Sequence, residues 1–127
     1  MSPGTLVHVG EKKIDKVQIR LTNYDQDRFE EKELNRIEDS FIYRDTPLVS
    51  WNNIDGLHEI ELIEKIGTHF SIHPLILEDI VNTGQRPKVE DFDDYIYLVF
   101  KMLKFDEKTN HIASEQVSFI LGSHYLI

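Results

Sequence analysis

The sequence contains no cysteine among its 127 residues. This absence excludes disulfide bonds and thiolate metal sites, and it is compatible with a cytosolic location. Positive charge is also scarce, because 14 lysines and arginines stand against 23 aspartates and glutamates, which gives a net charge of −9. Such a chain repels nucleic acids and anionic lipids, so we expect cations or basic surfaces as partners and no nucleic acid.

Long apolar runs are absent as well. The most apolar stretch, YIYLVF at 95–100, ends at Lys101 and is far shorter than the roughly 20 residues of a membrane helix. The first residues, MSPGTLVHVG, lack the apolar core of a secretory signal. With an ordinary hydrophobic fraction of 40%, residues 1–127 are predicted to form a single globular domain. Because the chain stops on the apolar segment SHYLI at 123–127, we expect it to be a fragment of a longer protein.

Catalytic motifs are missing too. No serine lies in a Gly-x-Ser-x-Gly elbow, and NTGQRPK at 82–88 has too few glycines for a phosphate loop. His69 and His73 have the i, i+4 spacing of helical zinc ligands, but Pro74 disfavours the helical conformation for His73. We therefore interpret His73 as a helix-capping or core residue, and the chain is predicted not to be an enzyme.

The spacing of apolar residues predicts a mixed, largely antiparallel β-sheet flanked by helices, an α/β (α+β) fold. Strands are expected where apolar and polar residues alternate or where aromatic and β-branched residues are dense. Asp25 is expected to cap a helix, and Gly67 to mark the end of regular turns in a second helix. The predicted strands are 5–9, 17–24, 47–55, 95–105 and 116–121, and the predicted helices are 26–41, 57–70 and 74–81, with a loop at 82–87.

The segment HPLILEDI at 73–80 has two adjacent acids inside an apolar helix. If Pro74 is the first helical residue, Glu78 and Asp79 lie opposite the apolar side. Two such carboxylates either face water or bind a cation, and alone they are a poor magnesium site, because the ion needs further oxygens from elsewhere. The side expected to be buried carries Ile76, Leu77, Ile80 and Val81.

A second acidic cluster lies at 89–95, where VEDFDDY has four carboxylates in five residues. Clustered carboxylates suit hard cations, but this segment lacks the spaced pattern of a calcium loop. The alternative is a solvated turn leading into a strand, with Arg86 and Lys88 pairing with some of the acids. The spacing alone leaves both interpretations open.

The stretch HPLILEDIVNTGQRPKVEDFDDYIYLVFKML at 73–103 resembles the signature region of the CorA magnesium transporter family. Three further segments resemble parts of the family in the same order, so the resemblance covers nearly all of the chain. They are PGTLVHVG at 3–10, WNNIDGLHEIELIEKIG at 51–67 and SEQVSFIL at 114–121.

The resemblance implies a homopentameric channel for Mg2+, often also for Co2+, in the cell membrane. This chain then corresponds to the cytosolic amino-terminal domain, the wide part of a funnel. It reaches the membrane only through the stalk helix and two membrane helices, with a Gly-Met-Asn pore motif, which the chain does not contain. The resemblance also implies that Asp79, foremost, and Glu78 hold regulatory Mg2+, Co2+ or another divalent cation at the boundary between subunits. Acids of a neighbouring stalk complete the site, so cytosolic Mg2+ closes the pore.

Other functional interpretations are compatible with the same residues. The family includes zinc-transporting relatives, so the transported ion is less defined than the architecture. A stand-alone soluble interaction domain would carry Glu78 and Asp79 as ordinary surface charge. A metal-dependent hydrolase would need ligands beyond this pair and a turnover that their mutation abolishes.

Overall fold

One seven-stranded sheet organises the fold. The structure, a computed structural model, describes residues 16–127, so the strand predicted at 5–9 lies outside the described residues. The elements are β1 (Gln18–Tyr24), β2 (Phe29–Leu34), a 3-10 helix (Ile37–Tyr43), β3 (Val49–Asp55), α1 (Ile60–Phe70), α2 (Pro74–Val81), β4 (Lys88–Asp91), β5 (Ile96–Asp106), β6 (His111–Leu121) and β7 (Tyr125–Leu126).

The strands lie in the order β2-β1-β3-β7-β6-β5-β4. Their pairings are antiparallel except between β3 and β7, where Ser50 lies opposite Tyr125. Antiparallel neighbours need only short connections, and a parallel pair needs a longer crossover, which here contains α1, α2 and the strands β4, β5 and β6. The predicted fold class, a mixed and largely antiparallel sheet with flanking helices, is confirmed.

Burial alternates along the strands as a period of two requires. In β1 the side chains of Ile19 and Leu21 are buried, whereas Gln18 and Arg20 are exposed. Tyr97 and Val99 of β5 are buried in the same alternating manner. The strands predicted at 17–24, 47–55, 95–105 and 116–121 are therefore confirmed, although β6 starts five residues earlier than expected.

The core lies between the sheet and the two α-helices. α1 contributes Ile63, Ile66 and Phe70, and α2 contributes the apolar side that its sequence predicted. These side chains form one cluster of buried residues with others from the strands, the 3-10 helix and the connecting segments: Ile19, Ile37, Leu62, Ile63, Ile66, Phe70, Ile72, Ile76, Leu77, Ile80, Val81, Tyr95, Tyr97, Val99 and Ile120. Burial of this apolar area is the main force that holds the helices on the sheet.

The α-helix predicted over 26–41 is wrong, since this range contains β2 and only its last residues are helical, in the 3-10 helix. Asp25 closes a turn instead of capping a helix, since its Oδ1 accepts hydrogen bonds from the amides of Asp27 (2.8 Å) and Arg28 (2.7 Å). The chain then returns as β2, with Phe29 opposite Tyr24 of β1. Pairing with β1 outweighs the helical spacing, because strand formation depends on packing against a neighbouring strand, which the spacing within the segment does not reveal.

Gly67 does not end α1, contrary to the prediction. The helix continues to Phe70 and ends at Ser71, which has a left-handed conformation with φ 55°. Gly67 instead faces α2, and a Cβ at this position would overlap the side chain of Leu77. The glycine therefore allows the two helices to approach each other closely.

Across residues 16–127, none of the helices is both long and apolar enough to cross a membrane.

Candidate metal centre

The acidic side of α2 is positioned by the way in which this helix begins. The Nδ1 atom of His73 accepts a hydrogen bond from the amide of Leu75 at 3.1 Å, and Pro74 occupies the first helical position. Both features favour a helix start at this point. The apolar side then points into the core, so Glu78 and Asp79 lie on the outer side, as the sequence predicted.

Asp79 contacts a lysine of the neighbouring strand β4. The Nζ atom of Lys88 lies 2.9 Å from Oδ2 of Asp79 and 2.7 Å from Oε1 of Glu90. Hydrogen bonds to Glu90 and then to Asp79 raise the pKa of Lys88 above its usual value. Two carboxylates thus share one ammonium, which leaves this group of three with a net negative charge.

The ring of Tyr97 lies beside the ammonium of Lys88. The Nζ atom of Lys88 lies 5.6 Å from the centroid of the Tyr97 ring, within the range of a cation–π contact. Tyr97 is fully buried, and its burial raises the pKa of its hydroxyl. The side chains of Lys88 and Asp79 each remain 30% exposed, so the ion pair lies at the edge of the core, where water reaches it.

A shallow depression of about 470 Å³ opens beside this ion pair. It is lined by three apolar side chains, three carboxylates and one histidine: Leu75, Ile76, Phe92, Glu78, Asp79, Glu90 and His73. Carboxylate oxygens are ligands that Mg2+ prefers. The donor set therefore fits a hard divalent cation in chemical type.

The same residues do not complete a metal site by themselves. No group of three or more histidines, aspartates and glutamates within residues 16–127 is arranged to hold a metal ion. Glu78 and Asp79 supply at most part of an octahedral shell, and Mg2+ takes the remainder from water or other oxygens. A cation at this position thus requires ligands beyond the described residues.

Of the second acidic cluster, the structure brings Glu90 to the site. Glu90 and Asp91 lie in β4, and the turn that follows is closed by the hydrogen bond from the amide of Phe92 to the carbonyl of Tyr95 at 2.9 Å. The interpretation as a turn leading into a strand is confirmed, as is the pairing of Lys88 with one of the acids. Lys88 connects Glu90 with Asp79, since its ammonium contacts both carboxylates. The sequence analysis did not predict this connection. The i, i+2 spacing of Lys88 and Glu90 indicates that they share one strand face, but it does not indicate that α2 lies beside this face.

The two histidines with zinc-like spacing have separate structural roles. The ring of His69 stacks on Phe41, with 3.7 Å between ring centroids and an interplanar angle of 5°. Burial and then the nearby charge of Arg44 lower the pKa of His69 below its usual value. His73 caps α2, so the prediction of a capping residue is confirmed.

Comparisons with known proteins identify one family. Residues 49–127 match the family described as CorA-like Mg2+ transporter protein. Over 127 residues the chain is 41% identical to the cobalt/magnesium transport protein CorA of Thermotoga maritima. The matched region covers 100% of this chain and 36% of that protein.

Two solved structures from Methanocaldococcus jannaschii share the fold. The soluble domain of CorA matches with a TM-score of 0.55 and 18% identity, over 84% of this chain and 38% of that one. The complete CorA magnesium transporter matches with a TM-score of 0.59 and 18% identity, over 89% of this chain and 32% of that one. The chain thus shares its fold with the soluble domain of CorA.

The chain belongs to the CorA family. It spans about a third of the length of the relatives that it matches.

Proposed function

We propose that this chain is the cytosolic regulatory domain of a CorA channel for Mg2+, with Co2+ as a second transported ion. Residues 1–127 are then one domain of a longer protein, which reaches the cell membrane through a stalk helix and two membrane helices. The observation that carries the proposal is the outer side of α2, where Glu78 and Asp79 line an open depression in a member of this family. The domain has no catalytic step in this proposal.

Asp79 is the principal ligand of the regulatory cation, and Glu78 is the second. Their carboxylates supply hard oxygen donors, and acids of a neighbouring subunit's stalk supply the others. Such a site forms only where subunits meet. This requirement agrees with the incomplete donor set within residues 16–127.

The cation acts through repulsion between subunits. Carboxylates that face each other across an interface repel, and a bound divalent cation replaces this repulsion with attraction to both sides. If the cation binds the closed ring of five subunits more tightly than the open one, rising Mg2+ shifts the population toward the closed state. Cytosolic Mg2+ then limits its own entry.

Limited proteolysis of the full-length protein over a Mg2+ titration tests the proposal. We expect Mg2+ to protect the wild-type protein, because the closed ring covers its cleavage sites. Asp79→Asn should raise the Mg2+ concentration at half-protection by roughly ten-fold or more, which corresponds to about 1.4 kcal/mol of binding. Glu78→Gln should shift it in the same direction.

Asp91→Asn is the matched control, because it removes the same charge from an exposed residue of β4 outside the depression. It should leave the midpoint within about two-fold of the wild type. Equal midpoints for Asp79→Asn and the wild type would count against Asp79 as a ligand. Protection that never depends on Mg2+ would overturn the regulatory site and leave Glu78 and Asp79 as ordinary surface charge.

The same titration with Co2+ and Zn2+ compares the ions. Zn2+ prefers nitrogen and sulfur ligands, whereas Mg2+ prefers oxygen. Half-protection at much lower Zn2+ than Mg2+, together with Zn2+ uptake by the full-length protein, would favour a zinc-transporting relative.

A further inference from the structure

Lys88 places its own positive charge next to Asp79, the proposed ligand of the divalent cation. It starts β4 and pairs with Val99 of β5, so its backbone is fixed in the sheet. Its ammonium is held at 2.9 Å from Asp79 and 2.7 Å from Glu90. Hydrogen bonds to both carboxylates and the ring of Tyr97 limit the places that the ammonium can reach.

This contact uses one of the two oxygens through which Asp79 could bind a divalent cation. Oδ2 of Asp79 accepts the hydrogen bond from Lys88, so an ion that binds this oxygen must displace the ammonium or lie close to it. Two cations at one carboxylate repel each other, and the repulsion is stronger at a half-buried site than in bulk water. The ion and Lys88 therefore compete for Asp79.

We propose that Lys88 is a built-in competitor of the divalent cation, which sets the cation concentration at which Asp79 binds. When the divalent cation is absent, the ammonium neutralises part of the charge of Asp79 and Glu90. When the cation binds Asp79, Lys88 still has Glu90 as a partner, at 2.7 Å. The inference rests on the proposed function, since it concerns the same site.

The alternative role for Lys88 is structural, and it predicts the opposite sign. If Lys88 only holds the Asp79 carboxylate in position, its removal weakens cation binding, because the carboxylate becomes mobile. If Lys88 competes, its removal strengthens binding. The sign of the change therefore separates the two roles.

The experiment is the Mg2+ titration of proteolytic protection in full-length Lys88→Met. Methionine retains much of the length of the side chain without its charge. We expect half-protection at a Mg2+ concentration roughly three- to ten-fold lower than in the wild type. Lys88→Arg retains the charge and should keep a midpoint near that of the wild type, and Lys88→Gln provides a second neutral variant if Lys88→Met does not fold.

Lys65→Met is the matched control. Lys65 forms an ion pair with Glu38 at 2.9 Å, the same distance as the pair of Lys88 and Asp79, but these residues do not line the depression. The control removes an equal charge, so it separates a local effect from a general one. Its midpoint should stay within about two-fold of the wild type.

The outcomes separate the inference from the proposed function. If Asp79→Asn raises the midpoint and Lys88→Met lowers it, both stand. If Asp79→Asn raises the midpoint but Lys88→Met leaves it unchanged or also raises it, the proposed function stands and the competitor role is overturned. If neither substitution changes the midpoint, both are overturned.

Discussion

The two halves of the β5–β6 pair differ sharply in burial, although both are rich in apolar residues. In the first half of β5, Tyr97 is 0% exposed and Val99 is 1% exposed. In the second half, Met102 is 58% exposed and Leu103 is 70% exposed. The helices and the candidate site lie at the first half, and the second half forms a two-stranded ribbon.

Strand pairing accounts for this difference. β4 pairs with β5 only along Ile96–Val99, and β7 pairs with β6 only at Leu121. Beyond these positions β5 and β6 pair with no other strand among the described residues. Lys101 and Gln116 still contact the loop at 82–85 through hydrogen bonds, but in the part of the chain that the structure describes the strands beyond them have only each other as paired neighbours. An isolated two-stranded hairpin cannot bury its side chains. Apolar composition thus permits burial, but neighbouring elements decide it.

The largest expected effect comes from shortening the most buried aromatic side chain of β5. Tyr97→Ala removes a ring from the centre of the core and leaves a cavity, and large aromatic-to-alanine changes in cores cost about 3–5 kcal/mol. We expect the free energy of unfolding, measured by urea denaturation followed by circular dichroism, to fall by this amount.

Leu103→Ala provides the comparison from the ribbon. It removes an exposed side chain from the same strand, so the free energy of unfolding should change by no more than about 0.5 kcal/mol. Similar losses for Tyr97→Ala and Leu103→Ala would mean that the two halves of β5 are equally packed, which would contradict their difference in burial.

A smaller effect is expected at the contact between α1 and α2. These helices and the first half of β5 form the well-packed end of the molecule. Gly67→Val places a branched side chain against Leu77, where even a Cβ has no room. Overpacking of this kind costs about 1–3 kcal/mol, and the free energy of unfolding should fall accordingly.

The double substitution Gly67→Val with Leu77→Ala tests this explanation. Leu77→Ala removes the side chain that the new valine meets, so the double variant should lose less stability than the sum of the two single losses. Additive losses would show that Gly67 does not owe its role to the contact with Leu77.

Much of the well-packed end could be predicted from the sequence, and the reason is local. α2 has a proline at its first position, a capping histidine before it and apolar residues at helical spacing, so its start and its outer acids follow from eight residues. Strand β1 follows equally well from its alternation. In each case the local preference and the tertiary environment agree.

The errors arose where pairing or packing between two elements decides the structure. The segment 26–41 has helical spacing, yet Phe29 pairs with Tyr24 in a hairpin, and a periodic pattern contains no information about that partner. The contact between Lys88 and Asp79 was missed for the same reason, because it requires β4 to lie beside α2. The part of the candidate site supplied by α2 was predictable, but the lysine that shares it was not.

The smallest effect is expected in the pH dependence of stability, and it again contrasts the packed core with the ribbon. Burial lowers the pKa of His69 in the folded protein, so below its ordinary pKa of about 6.5 the unfolded chain binds more protons than the folded one. The free energy of unfolding should therefore decrease as the pH falls from above this value toward the lower folded pKa. His69→Phe should reduce this pH dependence, since it retains a ring against Phe41 but cannot be protonated.

His111→Phe, in the exposed ribbon, is the control for replacing a histidine with an aromatic ring. Urea denaturation of the wild type and both variants at several values between pH 8 and pH 5.5 gives the three curves to compare. The curve of His69→Phe should be flatter than that of the wild type, because the difference in bound protons between the folded and unfolded states is smaller. A wild-type curve and a His69→Phe curve with the same slope would mean that His69 is not buried against Phe41 in solution. The packed end would then extend less far around α1 than the structure describes.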